Sequence, residues 1–331
     1  MKAYIKKMTY YLPENVEENP QGRLRKKTGI ARRHVCSEGE IASQLAEKSA
    51  EKLFGLGVER NRIEMLLLCT QSPDYFLPTT ACILQDRLGL PKSCGALDFN
   101  LGCSGYIYGL SLAKGLIESG QVNNVLLLTA ETYSKYINER DHSVKPLFGD
   151  GASATFIEAV DTDEPGLAGF VLGTDGGGYR SLIVPAGGMV RPYHTASDIE
   201  QEDEYGNRRT AFNLHMQGSA ISEFALEAVP DTLQKILAKT GKTKDDIGYF
   251  VFHQANKFML DYLRQKCGLM DCPYWNNVAE YGNTVSSSIP IAIGDMLGRE
   301  RPANPLVLSI GFGVGLSWGG CLIDLRYANK T

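Results

Sequence analysis

The sequence contains no long apolar run, no closely spaced cysteines and no excess of basic residues. No apolar stretch approaches the ~18 residues that a membrane-spanning helix needs, and the N-terminal residues lack the apolar core of a secretory signal peptide. The eight cysteines include no Cys-x-x-Cys pair, which argues against the usual zinc and iron–sulfur sites. They are also too sparse for a disulfide scaffold. We therefore predict a cytoplasmic protein with reduced thiols, no bound metal and no membrane association.

The charge balance excludes one further class of protein. The 34 basic and 38 acidic residues give a net charge of −4, whereas a dedicated nucleic-acid binder is usually strongly basic. Nucleic acid is therefore not expected as a partner. The 14 prolines, the 43% of apolar residues and the 22% of charged residues are typical of a globular chain, and 331 residues correspond to about two domains.

Apolar runs of strand length alternate with stretches of helical spacing, which is typical of an α/β protein whose sheet is covered on both faces. Strands are predicted over residues 64–71, 95–100, 123–131, 167–176, 247–254 and 304–313. Helices are predicted over residues 79–90, 104–120, 213–241, 255–268 and 283–300. We expect Pro230 to kink or divide the longest helix. The polar, glycine-rich segment 175–210 is predicted to be an insertion or lid-like loop outside the sheet.

Two parts of the chain resemble each other. VLLLTAE (125–131) with FGDGASATFIEAV (148–160) parallels LVLSIGFGVGLSWGGCLIDL (306–325). Each part has an apolar strand, a glycine-rich turn and a strand of small residues that ends near an acid. This pattern favours an internal duplication.

Cys103 is the first candidate for chemistry. It lies between a predicted strand and a predicted helix, where a sharp bend can present a nucleophile. The partial positive charge at the helix N-terminus favours the thiolate form, and the small neighbours Gly102, Ser104 and Gly105 allow a substrate to approach. A buried structural cysteine is the alternative that this local pattern leaves open.

Three further segments carry candidate residues. His253 ends an apolar strand, which is where α/β sheets build their sites, although a hydrogen-bonded histidine at an element boundary fits equally well. Asn283 follows a glycine and taken alone indicates a turn or a helix cap. The glycine-rich run 311–320 is predicted to lead into a strand and not a helix, so it lacks the helix N-terminus of a dinucleotide loop. A glycine-rich hairpin that lines a site fits this run better.

Together these segments resemble a known family. GCSGY around Cys103, FGDGASA (148–154), HQAN (253–256), YGNT (281–284) and the GFGVGLSWG tail are similar to β-ketoacyl-acyl-carrier-protein synthase III, a condensing enzyme of the thiolase superfamily. The resemblance extends over nearly the whole chain. It implies a thiolase-like five-layered α/β/α/β/α sandwich of two duplicated halves, 1–165 and 166–331, and a homodimer.

The resemblance also implies the chemistry. Cys103 would attack an acyl thioester such as acyl-CoA, while the backbone N–H groups of Cys103 and Val314 stabilise the oxyanion. A malonyl thioester, carried by an acyl carrier protein, would then lose CO₂. His253 and Asn283 would donate hydrogen bonds to the resulting enolate, which attacks the acyl-cysteine. This decarboxylative Claisen condensation needs no metal or redox cofactor.

Several positions depart from the family pattern. Leu77 stands where an aromatic side chain often reaches into the partner subunit's acyl pocket, which indicates either a longer or bulkier primer or a simple hydrophobic exchange. Arg23, Lys27, His142 and Lys257 occupy positions at the entrance for CoA or the carrier, where the family carries other residues. These differences favour a specialised pathway, for a secondary metabolite or a surface glycan, over housekeeping fatty-acid synthesis.

Two alternatives remain at this point. One is an acyltransferase of the same fold that moves the acyl group to an oxygen or nitrogen nucleophile without decarboxylation. The other is a non-catalytic partner subunit. The presence of Cys103, His253 and Asn283 together favours the condensing enzyme over both.

Overall fold

The computed structural model describes residues 1–195 and 198–329. Its strands are β1 (Lys2–Tyr11), β2 (Val16–Glu18), β3 (Arg32–His34), β4 (Met65–Cys69), β5 (Gly95–Phe99), β6 (Asn124–Glu131), β7 (Gly151–Val160), β8 (Leu167–Thr174), β9 (Leu182–Ile183), β10 (Gln201–Glu202), β11 (Arg208–Arg209), β12 (His215–Met216), β13 (Tyr249–Phe252), β14 (Leu306–Gly313) and β15 (Ser317–Asp324). Its α-helices are α1 (Arg23–Thr28), α2 (Ala42–Gly55), α3 (Thr80–Arg87), α4 (Gly105–Glu118), α5 (Gly218–Thr240), α6 (Lys257–Lys266), α7 (Val278–Tyr281) and α8 (Ser288–Arg299). Short 3₁₀ turns cover Arg60–Arg62, Tyr133–Tyr136, Gly176–Ser181, Tyr193–Thr195, Lys244–Asp246 and Val285–Ser287.

Two sheets form the framework, and they repeat one arrangement. The five-stranded sheet has the order β1-β7-β6-β4-β5, and the four-stranded sheet has the order β13-β14-β15-β8. The pair β4–β6 is parallel, while β6–β7 and β7–β1 are antiparallel. The pairs β13–β14, β14–β15 and β15–β8 repeat these three directions in the same order. The duplication predicted from the sequence echo is therefore confirmed, because β6 with β7 corresponds to β14 with β15. The predicted domain boundary, between residues 165 and 166, falls in the loop that joins the two sheets and stays a prediction.

Helices cover both faces of each sheet and form five layers. The outer face of the first sheet packs against α2 and α3 in one apolar cluster. Buried side chains of α4 and α8 share another cluster with residues of both sheets, so these helices form the middle layer. The outer face of the second sheet packs against α5 and α6. The predicted α/β/α/β/α sandwich is thus confirmed.

The alternation of side chains along a strand explains why the middle strands are apolar throughout. In β4, Leu66 and Leu68 join the outer cluster, while Leu67 joins the middle cluster. Leu126, Leu127 and Leu128 in the neighbouring β6 divide in the same way. Successive side chains of a strand point to opposite faces, so a strand covered on both faces needs a continuous apolar run.

The structure corrects the predicted start of one helix and confirms the predicted position of one loop. Helix α5 begins at Gly218 instead of residue 213, because His215–Met216 pairs with Leu182–Ile183 in a short antiparallel ladder. Pro230 lies within this one helix and does not divide it. The buried neighbours Val229 and Leu233 anchor the helix on the sheet and offset the backbone hydrogen bond that proline lacks. Residues 175–195 and 198–210, the described parts of the predicted loop, lie outside both main sheets, as predicted.

None of the helices in the described ranges has the length and apolar character needed to cross a bilayer.

Candidate active site

Cys103, His253 and Asn283 line one cavity of about 80 Å³. They are separated by up to 180 residues in the sequence, yet all three are buried, with exposed fractions of 4%, 2% and 6%. Cys103 precedes α4, His253 follows β13, and Asn283 follows α7. The structure therefore brings together the three residues that the sequence analysis singled out. We call this space the Cys103 cavity.

The backbone around Cys103 depends on close glycine contacts. A side-chain carbon added to Gly313 would lie 2.9 Å from the Cys103 sulfur, and one added to Gly311 would lie 2.5 Å from the Cys103 carbonyl oxygen. Within the same run, the Ser317 hydroxyl hydrogen-bonds the hydroxyl of Ser104, at the start of α4, at 2.5 Å. The glycine-rich run of the sequence is thus the wall against which Cys103 packs.

Burial dominates the protonation of Cys103. It raises the pKa of the thiol to about 12, and negative charge on Glu131 acts in the same direction when that side chain is ionised. The backbone N–H groups of Cys103 and Val314 stabilise the sulfur anion and partly counteract this effect. The resting residue is therefore a thiol at neutral pH, which corrects the expectation that the N-terminus of α4 favours a thiolate. The same two N–H groups are the predicted oxyanion-hole donors.

Glu131 is a site neighbour that the sequence analysis did not single out. It is fully buried at the end of β6. Its carboxyl group accepts hydrogen bonds from the Ser286 hydroxyl at 2.6 Å and from the Gln71 N–H at 3.1 Å. Burial raises its pKa to about 8, so the carboxyl is mostly neutral at pH 7 and adds little negative charge beside Cys103. An acid that ends an otherwise apolar strand was the available sequence signal.

His253 is held as a neutral ring. Its Nδ1 lies 2.6 Å from the Ser288 hydroxyl, and its ring meets Phe312 edge to face at 5.4 Å. Burial lowers its pKa to about 3. When the Ser288 hydroxyl donates to Nδ1, the single ring proton lies on Nε2. The imidazole can then donate a hydrogen bond without carrying a charge.

Asn283 is fixed through both its backbone and its side chain. Its N–H donates to the Leu147 carbonyl, and its carbonyl accepts from the Gly149 N–H, both at 2.9 Å. Its Oδ1 accepts from the Val285 N–H at 2.9 Å, which leaves the Nδ2 donors for a ligand. Val285 has a φ of 55°, an unfavourable value for a β-branched residue, and its fully buried side chain holds this turn in place.

The Cys103 cavity adjoins a larger cavity of about 400 Å³, which we call the entrance cavity. Residues that line both include Leu147, Met216, Ser222, Asn256 and Met259. A ligand that enters between these side chains can reach the Cys103 sulfur.

The predicted entrance residues are placed unevenly. Lys27 lines the entrance cavity, whereas Arg23, His142 and Lys257 do not. Their sequence neighbours Leu24, Ser143, Asn256 and Phe258 line it instead. Lys257 forms an ion pair with Asp261 on the exposed face of α6. The entrance role of all four predicted residues stays a prediction.

Leu77 lies on an exposed loop. Its side chain is 81% exposed and does not line the cavity that its neighbour Phe76 lines. That cavity, of about 600 Å³, also contacts Tyr133, Leu182 and Val314. The predicted contact of Leu77 with a partner subunit stays a prediction.

The arrangement supports acyl transfer and enolate stabilisation. A buried thiol lies beside two N–H groups, as needed for a tetrahedral intermediate. Two neutral donors, an imidazole and a carboxamide, line the same cavity. The described part of the chain contains no group of three or more His, Cys, Asp or Glu side chains that could hold a metal ion.

Comparisons with known proteins give one consistent result. The family 3-oxoacyl-[acyl-carrier-protein (ACP)] synthase III matches residues 97–176, and its C-terminal counterpart matches residues 237–325. The chain is 35% identical over 309 residues to a putative 3-oxoacyl-[acyl-carrier-protein] synthase 3 of Campylobacter jejuni, covering 92% of this chain and 85% of that protein.

Solved structures agree with the sequence matches. A crystal structure of a 3-oxoacyl-(acyl-carrier-protein) synthase III has a TM-score of 0.95 and 45% identity, covering 98% of this chain and 100% of that chain. The priming β-ketosynthase from the R1128 polyketide biosynthetic pathway has a TM-score of 0.85 and 25% identity, and the match covers 97% of this chain and 96% of that chain.

Proposed function

This chain belongs to the 3-oxoacyl-[acyl-carrier-protein] synthase III family, and from that premise we propose that Cys103, His253 and Asn283 carry out its chemistry. The chain is an acyl-transferring condensing enzyme of the thiolase fold. The observation that supports the three assignments is the single buried cavity that all three side chains line.

In the first half-reaction, the Cys103 sulfur attacks the carbonyl carbon of an acyl-CoA. A new carbon–sulfur bond forms while the bond to the CoA sulfur breaks, and the proton of the Cys103 thiol ends on the departing CoA thiol. The negative charge on the carbonyl oxygen meets the N–H groups of Cys103 and Val314. Because the pKa of Cys103 is about 12, the proton must leave as the sulfur attacks.

In the second half-reaction, a malonyl thioester loses CO₂. The electron pair of the broken carbon–carbon bond passes into an enolate, whose oxygen accepts hydrogen bonds from His253 Nε2 and Asn283 Nδ2. The enolate carbon attacks the acyl-cysteine and forms the new carbon–carbon bond, while the carbon–sulfur bond to Cys103 breaks. The Cys103 sulfur leaves as a thiolate and takes up a proton from solvent. Neutral donors fit this step, because a carboxylate in either position would repel the enolate.

The remaining assignments extend the proposal to substrates and partners. The substrates are an acyl-CoA and a malonyl thioester on an acyl carrier protein, and no cofactor takes part. Arg23, Lys27 and Lys257 supply positive charge around the entrance for CoA phosphates or an acidic carrier, and His142 supplies a hydrogen-bonding ring there. We place the enzyme in the cytoplasm as a homodimer, in which Leu77 contacts the partner's acyl pocket.

The pathway is proposed to be a specialised one. Leu77 and the entrance residues depart from the family pattern. A priming ketosynthase of a polyketide pathway is among the structural neighbours, which supports a priming role outside housekeeping fatty-acid synthesis.

Intact-protein mass spectrometry tests the assignment of the nucleophile. Incubation with a panel of acyl-CoAs is expected to add one acyl mass to the wild type and none to Cys103→Ala. Cys82→Ala is the matched control, because Cys82 is an exposed free thiol and its loss should leave the added mass unchanged. Retention of the mass in Cys103→Ala would refute the assignment.

Product analysis separates condensation from simple acyl transfer. Acylated enzyme given carboxyl-labelled malonyl-carrier should release labelled CO₂ and form a 3-oxoacyl thioester. Transfer of the acyl group to an oxygen or nitrogen acceptor without CO₂ release would favour the acyltransferase instead.

A further inference from the structure

The cavity of about 600 Å³ beside the Cys103 cavity carries an unexpected polar group. We call it the Gln71 pocket, and define it by Gln71, Asn100, Tyr133, Leu182, Leu214 and Val314. It borders the nucleophile, because Leu182 lines both cavities. A side-chain carbon added to Gly102, the residue before Cys103, would lie 2.6 Å from Gln71 Oε1 and 2.5 Å from Val314 Cγ1.

The Gln71 amide is held in one orientation. Its Oε1 accepts from the Tyr133 hydroxyl at 2.5 Å, and its Nε2 donates to Asn100 Oδ1 at 2.9 Å. Since an amide nitrogen carries two protons, one N–H of Gln71 and both side-chain N–H groups of Asn100 have no acceptor within the described residues. Gln71 is half-buried and Asn100 is exposed, so these donors face solvent until a bound chain covers them. The pocket therefore offers spare hydrogen-bond donors.

The rest of the lining sets limits on the ligand. Leu182, Leu214 and Val314 are apolar, and no lysine, arginine or histidine lines the cavity within the described chain. A carboxylate would lose its hydration here without gaining a cation, so the ligand should be neutral. A plain alkyl chain would cover the spare donors without accepting from them, which is unfavourable.

We propose that the Gln71 pocket binds the acyl group of the primer and selects chains with a neutral oxygen substituent near the thioester, a hydroxyacyl group, through Gln71. This inference rests on the proposed acylation of Cys103. The Gln71 amide oxygen would lie 2.6 Å from a side-chain carbon on Gly102, directly before the nucleophile, so the amide is close to Cys103 and the substituent belongs within the first few carbons of the chain. The later carbons lie along Leu182 and Leu214.

Acylation rates test the selectivity. The second-order rate constant for acyl transfer to Cys103 is measured by intact mass with butyryl-CoA and with each enantiomer of 3-hydroxybutyryl-CoA. One enantiomer should react at least about tenfold faster than butyryl-CoA, the size expected when a donor that the bound chain covers gains its acceptor. Equal or faster reaction of butyryl-CoA than of both enantiomers would overturn the proposal.

Variants test the role of Gln71 itself. Gln71→Leu should abolish the preference or invert it, and Tyr133→Phe should weaken it by freeing the amide to rotate. Gln121→Leu, an exposed site, is the matched control and should keep the preference. Thermal melting verifies that Gln71→Leu and Tyr133→Phe are folded. If both variants still prefer the hydroxyacyl-CoA as strongly as the wild type does, the assignment to Gln71 is overturned. If no acyl-CoA acylates Cys103, the proposed function fails as well, whereas acylation without preference overturns only this inference.

Discussion

Replacing Asn283 by aspartate separates the two half-reactions. The substitution keeps the size of the side chain and the acceptor for the Val285 N–H, but it exchanges the Nδ2 donor for a negative oxygen. Because the enolate forms only after CO₂ leaves, we expect decarboxylation to suffer far more than acylation of Cys103.

The size of the effect follows from two contributions. Loss of one preorganised donor costs about 10²–10³ in rate. Two like charges about 4 Å apart repel by about 4 kcal/mol at an effective dielectric constant of about 20, which is close to another 10³. We expect Asn283→Ala to lose about 10²–10³ in decarboxylation and Asn283→Asp to lose more than that. Since burial raises the pKa of a carboxyl group, lowering the pH should protonate the new side chain and recover part of the loss.

Two assays measure the separate steps. Acylation is followed by intact mass with an acyl-CoA, and decarboxylation by release of labelled CO₂ from malonyl-carrier with acylated enzyme. Asn124→Asp is the matched control, because Asn124 is buried and bonded through its side chain at the opposite end of β6 from Glu131. In Asn124→Asp, the rates of acylation and decarboxylation should either stay unchanged or fall by the same factor. Equal losses of both rates in Asn283→Asp, or no loss, would refute the role of Asn283.

Three further predictions follow from the same site. Ser288→Ala removes the partner of His253 Nδ1 and should slow decarboxylation about tenfold, the cost of one buried hydrogen bond, with a smaller effect on acylation; an equal effect on both would contradict this positioning role. Because the pKa of Cys103 is about 12, its alkylation by iodoacetamide should quicken steadily from pH 7 to 9 as the thiolate fraction grows, and a plateau below pH 8 would contradict the buried thiol. Gly313→Ala places a carbon 2.9 Å from the sulfur and should reduce acylation at least about 100-fold, while Gly298→Ala, in α8 with open space around it, should keep activity and raise the unfolding free energy by up to about 1 kcal/mol.

Periodicity predicts the framework well because it reports burial. The leucines of β4 and β6 form continuous apolar runs, and only a strand covered on both faces requires such a run. The spacing of apolar residues in 42–55 is also helical, so α2 is an element that the same periodicity can predict. The predicted start of α5 was wrong by five residues. The pairing of His215–Met216 with Leu182–Ile183 is a long-range contact, which local spacing does not encode.

The site is less accessible from the sequence. Cys103, His253 and Asn283 were each compatible with a structural role, and only the family resemblance joined them before the cavity was known. The only local signal for Glu131 is its place at the end of an apolar strand, and no local pattern marks Gln71, which meets the site through long-range contacts. The thiolate expectation for Cys103 was wrong for a related reason: helix polarity can be predicted from the sequence, but the depth of burial that outweighs it cannot.

The shared middle layer also prevents the two halves of the chain from being expressed as separate stable domains. The cluster around α4 and α8 draws side chains from both sheets, so either half expressed alone would expose an apolar face that the other normally covers. The repeated halves therefore no longer behave as interchangeable modules, and a split or recombined version of the chain would aggregate before it could assemble a working site.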